Sequence, residues 1–178
     1  MTELEPFTGD PIAARVEALI VSPIHRYEGR PADGALPAAG EESREEIELR
    51  AGLGIVGDRY FNQRAHRHAA VTLIAAESLE AVAVEVQAPV DPVAVRRNIV
   101  LRGVDVDALR DVEIELDSGQ GPVVLRGRRA ANPCAWMDAE VAPGAFRAMR
   151  RRGGMRCEVL AGGILRLGAV AVRLRPAR

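Results

Sequence analysis

The chain has 178 residues, of which 48% are hydrophobic and 3% aromatic, and its formal net charge is −1. This length is enough for one compact domain with a substantial core and too short for two ordinary domains. The low aromatic content argues against nucleic acid as a partner, because single strands are bound by stacking on aromatic rings. No apolar run approaches the roughly 20 residues of a membrane helix, and the N-terminus lacks the pattern of a secretory leader, so we expect a cytoplasmic protein without membrane contact.

All 24 cations are arginines, because the sequence contains no lysine. Covalent pyridoxal phosphate is therefore excluded, since that cofactor is held as an aldimine on lysine. Residues 1–95 carry 8 arginines against 16 acidic residues, and residues 96–178 carry 16 against 9, so the halves have net charges of −8 and +7. We expect an anion to bind in the C-terminal half, where guanidinium groups suit phosphate and carboxylate oxygens.

The hydrophobic pattern predicts a mainly β barrel with two or three short helices, preceded by a loosely ordered lead-in over residues 1–14. Seven or eight short strands are predicted, at residues 16–21, 45–49, 71–74, 99–101, 112–116, 123–125, 156–160 and 169–174. Helical spacing predicts helices over residues 76–86 and 143–151. The loop Pro23–Gly40 is rich in Pro, Gly and Ala, and we expect it to be mobile.

Cys134 is the first candidate for chemistry. It follows Pro133 in a polar loop after the basic run Arg126–Arg129, and nearby guanidinium groups favour the thiolate that attacks sulfur or binds a soft metal. A buried structural cysteine is the alternative. Cys157 alternates with polar neighbours in a predicted strand, so we expect it in the core. Without a cysteine framework, both are expected to be free thiols.

Three basic segments are candidates for anion binding. Arg96, Arg97 and Asn98 open a predicted strand and together offer a guanidinium clamp with an orienting amide. The turn Gly57-Asp58-Arg59 offers a carboxylate that holds an arginine or binds a ligand hydroxyl. Arg150–Arg152 precede two glycines, where a helix end also favours arginine without any ligand. For Arg96 and Arg97, a solvated pair of surface arginines is the alternative.

Several of these segments resemble the MOSC domain, a family named after the C-terminal domain of molybdenum cofactor sulfurase. The similar segments are Gly52–Tyr60, Val71–Ile74, Arg96–Val106, Asn132–Cys134, Gly153-Gly154 and Gly162–Ile164, in the family order. The resemblance spans about residues 15–174, which we interpret as a single MOSC domain of the stand-alone bacterial type.

The resemblance implies a MOSC-type β-barrel similar to the β-barrel domain of pyruvate kinase. It also implies that Cys134 matches the family cysteine that carries sulfur as a persulfide or binds molybdenum. Arg96, Arg97, Asn98, Asp58, Arg59 and Asn132 would then bind the anionic sulfur donor or the molybdenum cofactor. The implied partners are a pyridoxal-phosphate-dependent cysteine desulfurase or a molybdoenzyme. A molybdenum-dependent oxidoreductase of N-hydroxylated compounds and a non-catalytic anion-binding module are the alternatives, and both monomer and homodimer stay open.

Two positions depart from the family pattern. Many stand-alone members have a second cysteine three residues before the main one, and here that residue is Ala131. A resolving disulfide within the loop is therefore not expected. Only about 14 residues precede the similar region, whereas reductase-type members carry an additional N-terminal β-barrel domain. This difference weakens the oxidoreductase hypothesis.

Overall fold

The computed structural model describes residues 6–177, and these form eleven strands and four α-helices. The strands are β1 (Ile12–Ile20), β2 (Ser43–Arg44), β3 (Glu46–Arg50), β4 (Gly54–Ile55), β5 (Val71–Ala75), β6 (Ile99–Arg102), β7 (Val112–Asp117), β8 (Val123–Ala130), β9 (Met155–Ala161), β10 (Gly163–Arg166) and β11 (Gly168–Pro176). The helices are α1 (Ala76–Val86), α2 (Pro92–Val95), α3 (Trp136–Glu140) and α4 (Ala145–Ala148). No helix in this part of the chain is both long and apolar enough to cross a membrane.

Seven of the strands close into a barrel in the order β1, β11, β7, β8, β9, β5, β6. Strand β1 closes it, because it pairs with β11 through residues 12–16 and with β6 through residues 15–19. All neighbours in the barrel are antiparallel except β5 and β6, which α1 and α2 connect as a crossover. Strands β10, β3 and β4 form a separate three-stranded sheet. The predicted mainly β barrel is confirmed.

Alternation along the strands fills the barrel interior. In β7, Ile114 and Leu116 are buried in the same core cluster as Met155, Cys157 and Val159 of β9. A second apolar cluster lies outside the barrel, where Ile74 and Val100 pack against Leu79, Trp136 and Met149 from the helices. The helices therefore cover one outer face of the barrel, beside the parallel strands.

The structure corrects several boundaries. Strand β1 begins at Ile12, four residues before the strand predicted at residues 16–21, and residues 1–5 of the predicted lead-in lie outside the described residues. Four helices are present in residues 6–177 instead of two or three, because α2 and α3 span only 4 and 5 residues and leave no helical period in the sequence. Strands β2, β4 and β10 are also additional to the prediction.

The Pro23–Gly40 loop, which we expected to be mobile, makes specific contacts with the helical face. The ring of Tyr27 stacks on Trp136 with centroids 5.0 Å apart, and its hydroxyl donates to the carbonyl of Ala94 at 2.5 Å. The Ala35 amide donates to Glu140 at 3.1 Å. The loop has little apolar content of its own and packs against the apolar side chains of the helices.

Candidate functional site

The short helix α2 determines where the predicted arginines lie. Asp91 caps its start by accepting a hydrogen bond from the Val93 amide at 2.8 Å, and Pro92 occupies the first turn. The helix ends at Val95, and the left-handed backbone of Arg96 (φ 60°) then reverses the chain into β6. Arg96, Arg97 and Asn98 therefore stand together where β6 begins, against the end of β1.

Arg97 is buried, and its guanidinium donates to three backbone carbonyls. These belong to Gly153 at 2.8 Å, Ala131 at 2.7 Å and Val95 at 3.1 Å. Burial lowers the pKa of Arg97 to about 10, and the charge of Arg156 adds to the effect. A negative charge on Cys134 acts in the opposite direction and raises the pKa of Arg97. Arg97 is thus charged at neutral pH, and Cys134 is close enough for a charge on its sulfur to affect the pKa of Arg97.

Arg96 is also buried and is held by a carboxylate. Its guanidinium lies 3.3 Å from Glu42, donates to the Ile24 carbonyl at 3.0 Å and sits 5.1 Å from the centroid of the Tyr27 ring. Burial lowers the pKa of Arg96, and the charge of Arg59 lowers it further. Arg59 also lowers the pKa of Arg97, so the three guanidinium groups converge on one region.

Asn98 and Asp58 form a buried polar network under these arginines. The Asn98 side chain donates to the Ile20 carbonyl and to Asp58, each at 3.1 Å, and its oxygen accepts from the amide and hydroxyl of Thr72 at 3.0 and 2.9 Å. Asp58 additionally accepts from the Ser22 amide at 3.2 Å. The amide of Asn98 thus has internal partners for its donors and its acceptor, and it joins β1, β5 and the Asp58 turn.

Arg59 lies at the edge of the site, beside a group of rings. It is 3.5 Å from Asp58, and its guanidinium carbon is 4.6 Å from the centroid of the Tyr60 ring. Tyr60 contacts the rings of His25 and His66, with centroids 5.1 and 4.6 Å apart. Burial lowers the pKa of His25, and the charge of Arg59 reinforces this, which favours its neutral form.

The two cysteines have opposite environments. Cys134 is exposed in the turn that opens α3, where its carbonyl accepts from the Met137 amide at 2.9 Å. Cys157 is fully buried in the barrel, which raises the pKa of its thiol, so its predicted core location is confirmed. The arginines next to Cys134 in sequence are paired elsewhere, Arg126 with Glu113 and Arg128 with Glu158.

Arg156 belongs to the site, although the sequence analysis assigned it only to a strand. It follows Met155 and precedes Cys157, both of which face the barrel interior, so its side chain lies on the outer surface beside Thr72, its partner in β5. Its charge acts on Arg97. Among residues 6–177, no side-chain hydrogen bond or ion pair holds this guanidinium. The sequence did offer a signal for this outward orientation, because Arg156 is a polar residue between the apolar Met155 and Cys157 in the alternating pattern of β9.

Asn132 is exposed and lies apart from the buried network. It lines an open pocket of about 380 Å³ together with Pro133, Phe146, Arg150 and Arg151. Within residues 6–177, no three His, Cys, Asp or Glu side chains are grouped to hold a metal ion. The candidate site therefore combines the exposed thiol of Cys134 with the buried Arg97, whose pKa the charges of Arg59 and Arg156 also lower.

Comparisons with known proteins agree with this architecture. The family model described as "MOSC domain" matches residues 56–172. No curated protein matches the sequence. The YUAD protein from Bacillus subtilis is structurally similar, with a TM-score of 0.68 and 15% identity over 93% of this chain and 97% of that chain.

Two YiiM structures are also similar. YiiM from Geobacillus stearothermophilus has a TM-score of 0.60 and 12% identity over 89% of this chain and 74% of its own. YiiM from Escherichia coli has a TM-score of 0.59 and 16% identity over 92% and 71%. At these identities the similarity shows the fold alone. Since the family model matches well over half of the sequence, this chain belongs to the MOSC domain family.

Proposed function

We propose that this chain is a cytoplasmic sulfur carrier that accepts and delivers sulfane sulfur through Cys134, as a single MOSC domain over residues 15–174. One observation supports this proposal most: an exposed cysteine lies in the loop whose Ala131 carbonyl accepts a hydrogen bond from the buried guanidinium of Arg97 at 2.7 Å. The thiolate is the nucleophilic form of cysteine. Exposure gives a partner protein access to the sulfur.

The loading step is an exchange between sulfur atoms without net oxidation. The Cys134 thiolate attacks the outer sulfur of a donor persulfide, R–S–SH. The donor S–S bond breaks, its electron pair leaves with the donor as R–S⁻, and Cys134 becomes Cys–S–SH. Arg97 lies near the negative charge at the start of this step, held in place by its three carbonyl partners. We propose a pyridoxal-phosphate-dependent cysteine desulfurase as the donor, because the step requires a protein that presents a persulfide.

Incubation with such a desulfurase and cysteine tests the proposal by mass spectrometry. We expect Cys134 to gain about 32 Da, the mass of one sulfur atom, before any reductant is added. Trypsin cleaves after Arg129, Arg147 and Arg156, so Cys134 and Cys157 fall in different peptides and the modified site is assigned directly.

The matched control variants are Cys134→Ser, which should show no gain, and Cys157→Ser, which should keep it because Cys157 is buried. If Cys134 gains no sulfur while N-ethylmaleimide still alkylates it, the carrier role is wrong.

Binding of the molybdenum cofactor is the second candidate, favoured by the four neighbouring arginines. Arg96 and Arg59 are paired with Glu42 and Asp58, whereas Arg97 has only carbonyl partners and the Arg156 side chain has no hydrogen-bond or ion-pair partner within residues 6–177. An anion of high charge would offset the mutual repulsion of such groups. The residues fit the cofactor, since Cys134 offers a soft ligand and the arginines suit its phosphate.

When bound, the cofactor would supply the redox chemistry of molybdenum, including reduction of N-hydroxylated compounds with a partner electron donor. Arg97, Arg156, Arg96 and Arg59 would hold its phosphate, with Asn98 and Asp58 keeping the arginines in place and Asn132 at the rim.

Metal and pterin analysis of protein expressed with molybdate distinguishes cofactor binding from the sulfur-carrier function. We expect molybdenum and an oxidised, fluorescent pterin to copurify, and Arg156→Gln to lower both by about tenfold, the effect of losing one charge-assisted contact. Arg110→Gln removes an exposed arginine that pairs with Asp111 and serves as the charge-matched control. Absence of molybdenum and pterin would exclude the oxidoreductase. Phosphate binding that survives Cys134→Ala would then favour the anion-binding module.

A further inference from the structure

The open pocket of about 380 Å³ that Asn132 and Pro133 help to line has the volume of a small-molecule site. The ring of Phe146 and the ring of Pro133 provide apolar walls, and Asn132, Arg150 and Arg151 provide the polar groups. Asn132 and Pro133 directly precede Cys134 in the sequence, so the loop that carries the thiol also lines the pocket.

The two arginines of this pocket carry charge that no carboxylate in residues 6–177 neutralises. Arg150 is oriented by Phe146, with its guanidinium carbon 5.2 Å from the ring centroid. The next arginine along the chain, Arg152, does have an acidic partner, Glu85 at 3.7 Å. The unpaired charge is therefore concentrated on the side of the segment that faces the pocket.

Arg151 has an unfavourable backbone conformation at this position. Its φ is 65°, in the left-handed region where an L side chain is disfavoured by about 1–2 kcal/mol relative to glycine. The segment that follows packs tightly on the Cys134 loop, because a Cβ on Gly153 would lie 2.4 Å from the Ala131 carbonyl and 3.2 Å from Pro133. Arg151 is thus held against the loop that carries the thiol.

We propose that this pocket binds a low-molecular-weight thiol that carries carboxylate groups and takes the sulfur from Cys134. The inference rests on the proposed carrier function. The other cysteine of the chain, Cys157, is buried in the barrel, so the Cys134 persulfide has no second accessible thiol of this chain to discharge it. An external thiol must do so. Arg150 and Arg151 would bind its carboxylates while its apolar part rests on Phe146 and Pro133.

The discharge step balances without an oxidant or a reductant. The thiolate of the small molecule, R–S⁻, attacks the outer sulfur of the Cys134 persulfide. The S–S bond at Cys134 breaks, its electron pair returns to Cys134 as the thiolate, and the small molecule leaves as R–S–SH. The carrier is then ready for another loading.

Discharge of persulfidated protein by glutathione and by glutathione diethyl ester tests the proposal. Both are thiols of the same framework, but the ester has no free carboxylate. After correction for the thiolate fraction of each thiol, we expect glutathione to react about tenfold faster, which is the effect of two exposed charge contacts of usual strength. The rate should saturate with glutathione and stay linear with the ester.

Arg150→Gln and Arg151→Gly should each remove most of this preference. Glycine suits the positive φ of residue 151, so the second variant removes the guanidinium without straining the backbone. The matched control is Arg147→Gln, an exposed arginine of α4 that does not line the pocket, and it should keep the full preference. Equal rates for the two thiols, or a preference that survives both pocket variants, would overturn the proposal while leaving the carrier function intact.

A protein that fails to load sulfur would refute the carrier function, and the pocket is then tested by binding alone. S-methylglutathione cannot accept sulfur but keeps both carboxylates. Saturable binding to the wild type by NMR titration, weakened at least threefold in Arg151→Gly and unchanged in Arg147→Gln, supports the carboxylate site. No binding, or the same binding in all three proteins, contradicts it.

Discussion

Asn98 was predicted to bind a ligand, but its side-chain amide is hydrogen-bonded inside the protein. A primary amide offers two donors and one acceptor oxygen, and here Ile20, Asp58 and Thr72 use all of them inside the protein. The residue is 2% exposed, so a lost bond is not replaced by water. Asn98 therefore positions the arginines indirectly, by fixing the Asp58 turn against β5 and β6.

Asn98→Ala should destabilise the protein by about 3–5 kcal/mol in urea unfolding, because it leaves Asp58, the Thr72 amide and the Ile20 carbonyl short of buried partners. Asn132→Ala is the control, since Asn132 is exposed, and it should change the free energy of unfolding by less than about 0.5 kcal/mol. Similar stabilities for the two variants would show that the network contributes little.

At the scale of elements, the Gly153-Gly154 turn between α4 and β9 brings the site together. The Gly153 carbonyl accepts from Arg97, and the Gly154 amide donates to Asp107 at 2.9 Å. Gly154 has φ 90°, and a Cβ there would lie 2.0 Å from the Leu73 carbonyl of β5. Only glycine allows β9 to start this close to β5, with Arg156 beside Thr72.

Gly154→Ala should cost at least about 4 kcal/mol, because the backbone of β5 must move away. Gly119→Ala separates this steric effect from the conformational one, since Gly119 has nearly the same φ of 89° but nothing within 4 Å of an added Cβ. We expect about 1–2 kcal/mol for that variant, the cost of the left-handed backbone alone. Equal losses in thermal or urea unfolding would show that the close approach to Leu73 is not the cause.

At the scale of the whole molecule, arginines and carboxylates on neighbouring strands pair across the barrel surface. Glu113 of β7 lies between Arg126 of β8 and Arg175 of β11, and it is 4% exposed. Burial raises its pKa, but the hydrogen bonds from Arg126 and Arg175 outweigh burial and hold the pKa below its usual value. These ion pairs therefore join the neighbouring strands β7, β8 and β11.

This shift makes part of the stability depend on pH. Since the folded pKa of Glu113 is lower than the unfolded one, its contribution is present above the unfolded pKa and is lost as pH falls through the folded pKa. Glu113→Gln should lower the free energy of unfolding by about 2–3 kcal/mol at pH 7, and the difference from wild type should shrink in acid.

Urea unfolding at a series of pH values measures this dependence. Glu48→Gln, which removes an exposed carboxylate paired with Arg50, is the control and should change little at any pH. A difference between Glu113→Gln and wild type that stays constant down to acid pH would contradict the assignment.

The strands of the barrel were predictable because each buries one face and so alternates apolar and polar residues. Helix α1 was predicted with its observed bounds, Ala76–Val86, because eleven residues contain a full helical period. Strand β10 was missed, since its residues Gly163–Arg166 become a strand only by pairing with β3, more than 100 residues earlier. Local sequence carries little information about such a distant partner.

The sequence by itself determined the barrel, the burial of Cys157 and the family to which the chain belongs. Only the tertiary structure decided how the charged residues are used. Arg126 and Arg128 precede Cys134 in sequence but pair with Glu113 and Glu158, whereas Arg97, which follows α2, donates to the Ala131 carbonyl in the loop that carries the thiol. The physical reason is that alternation records which face of a strand is buried, while the partner of a charge depends on which strands the closed barrel places side by side.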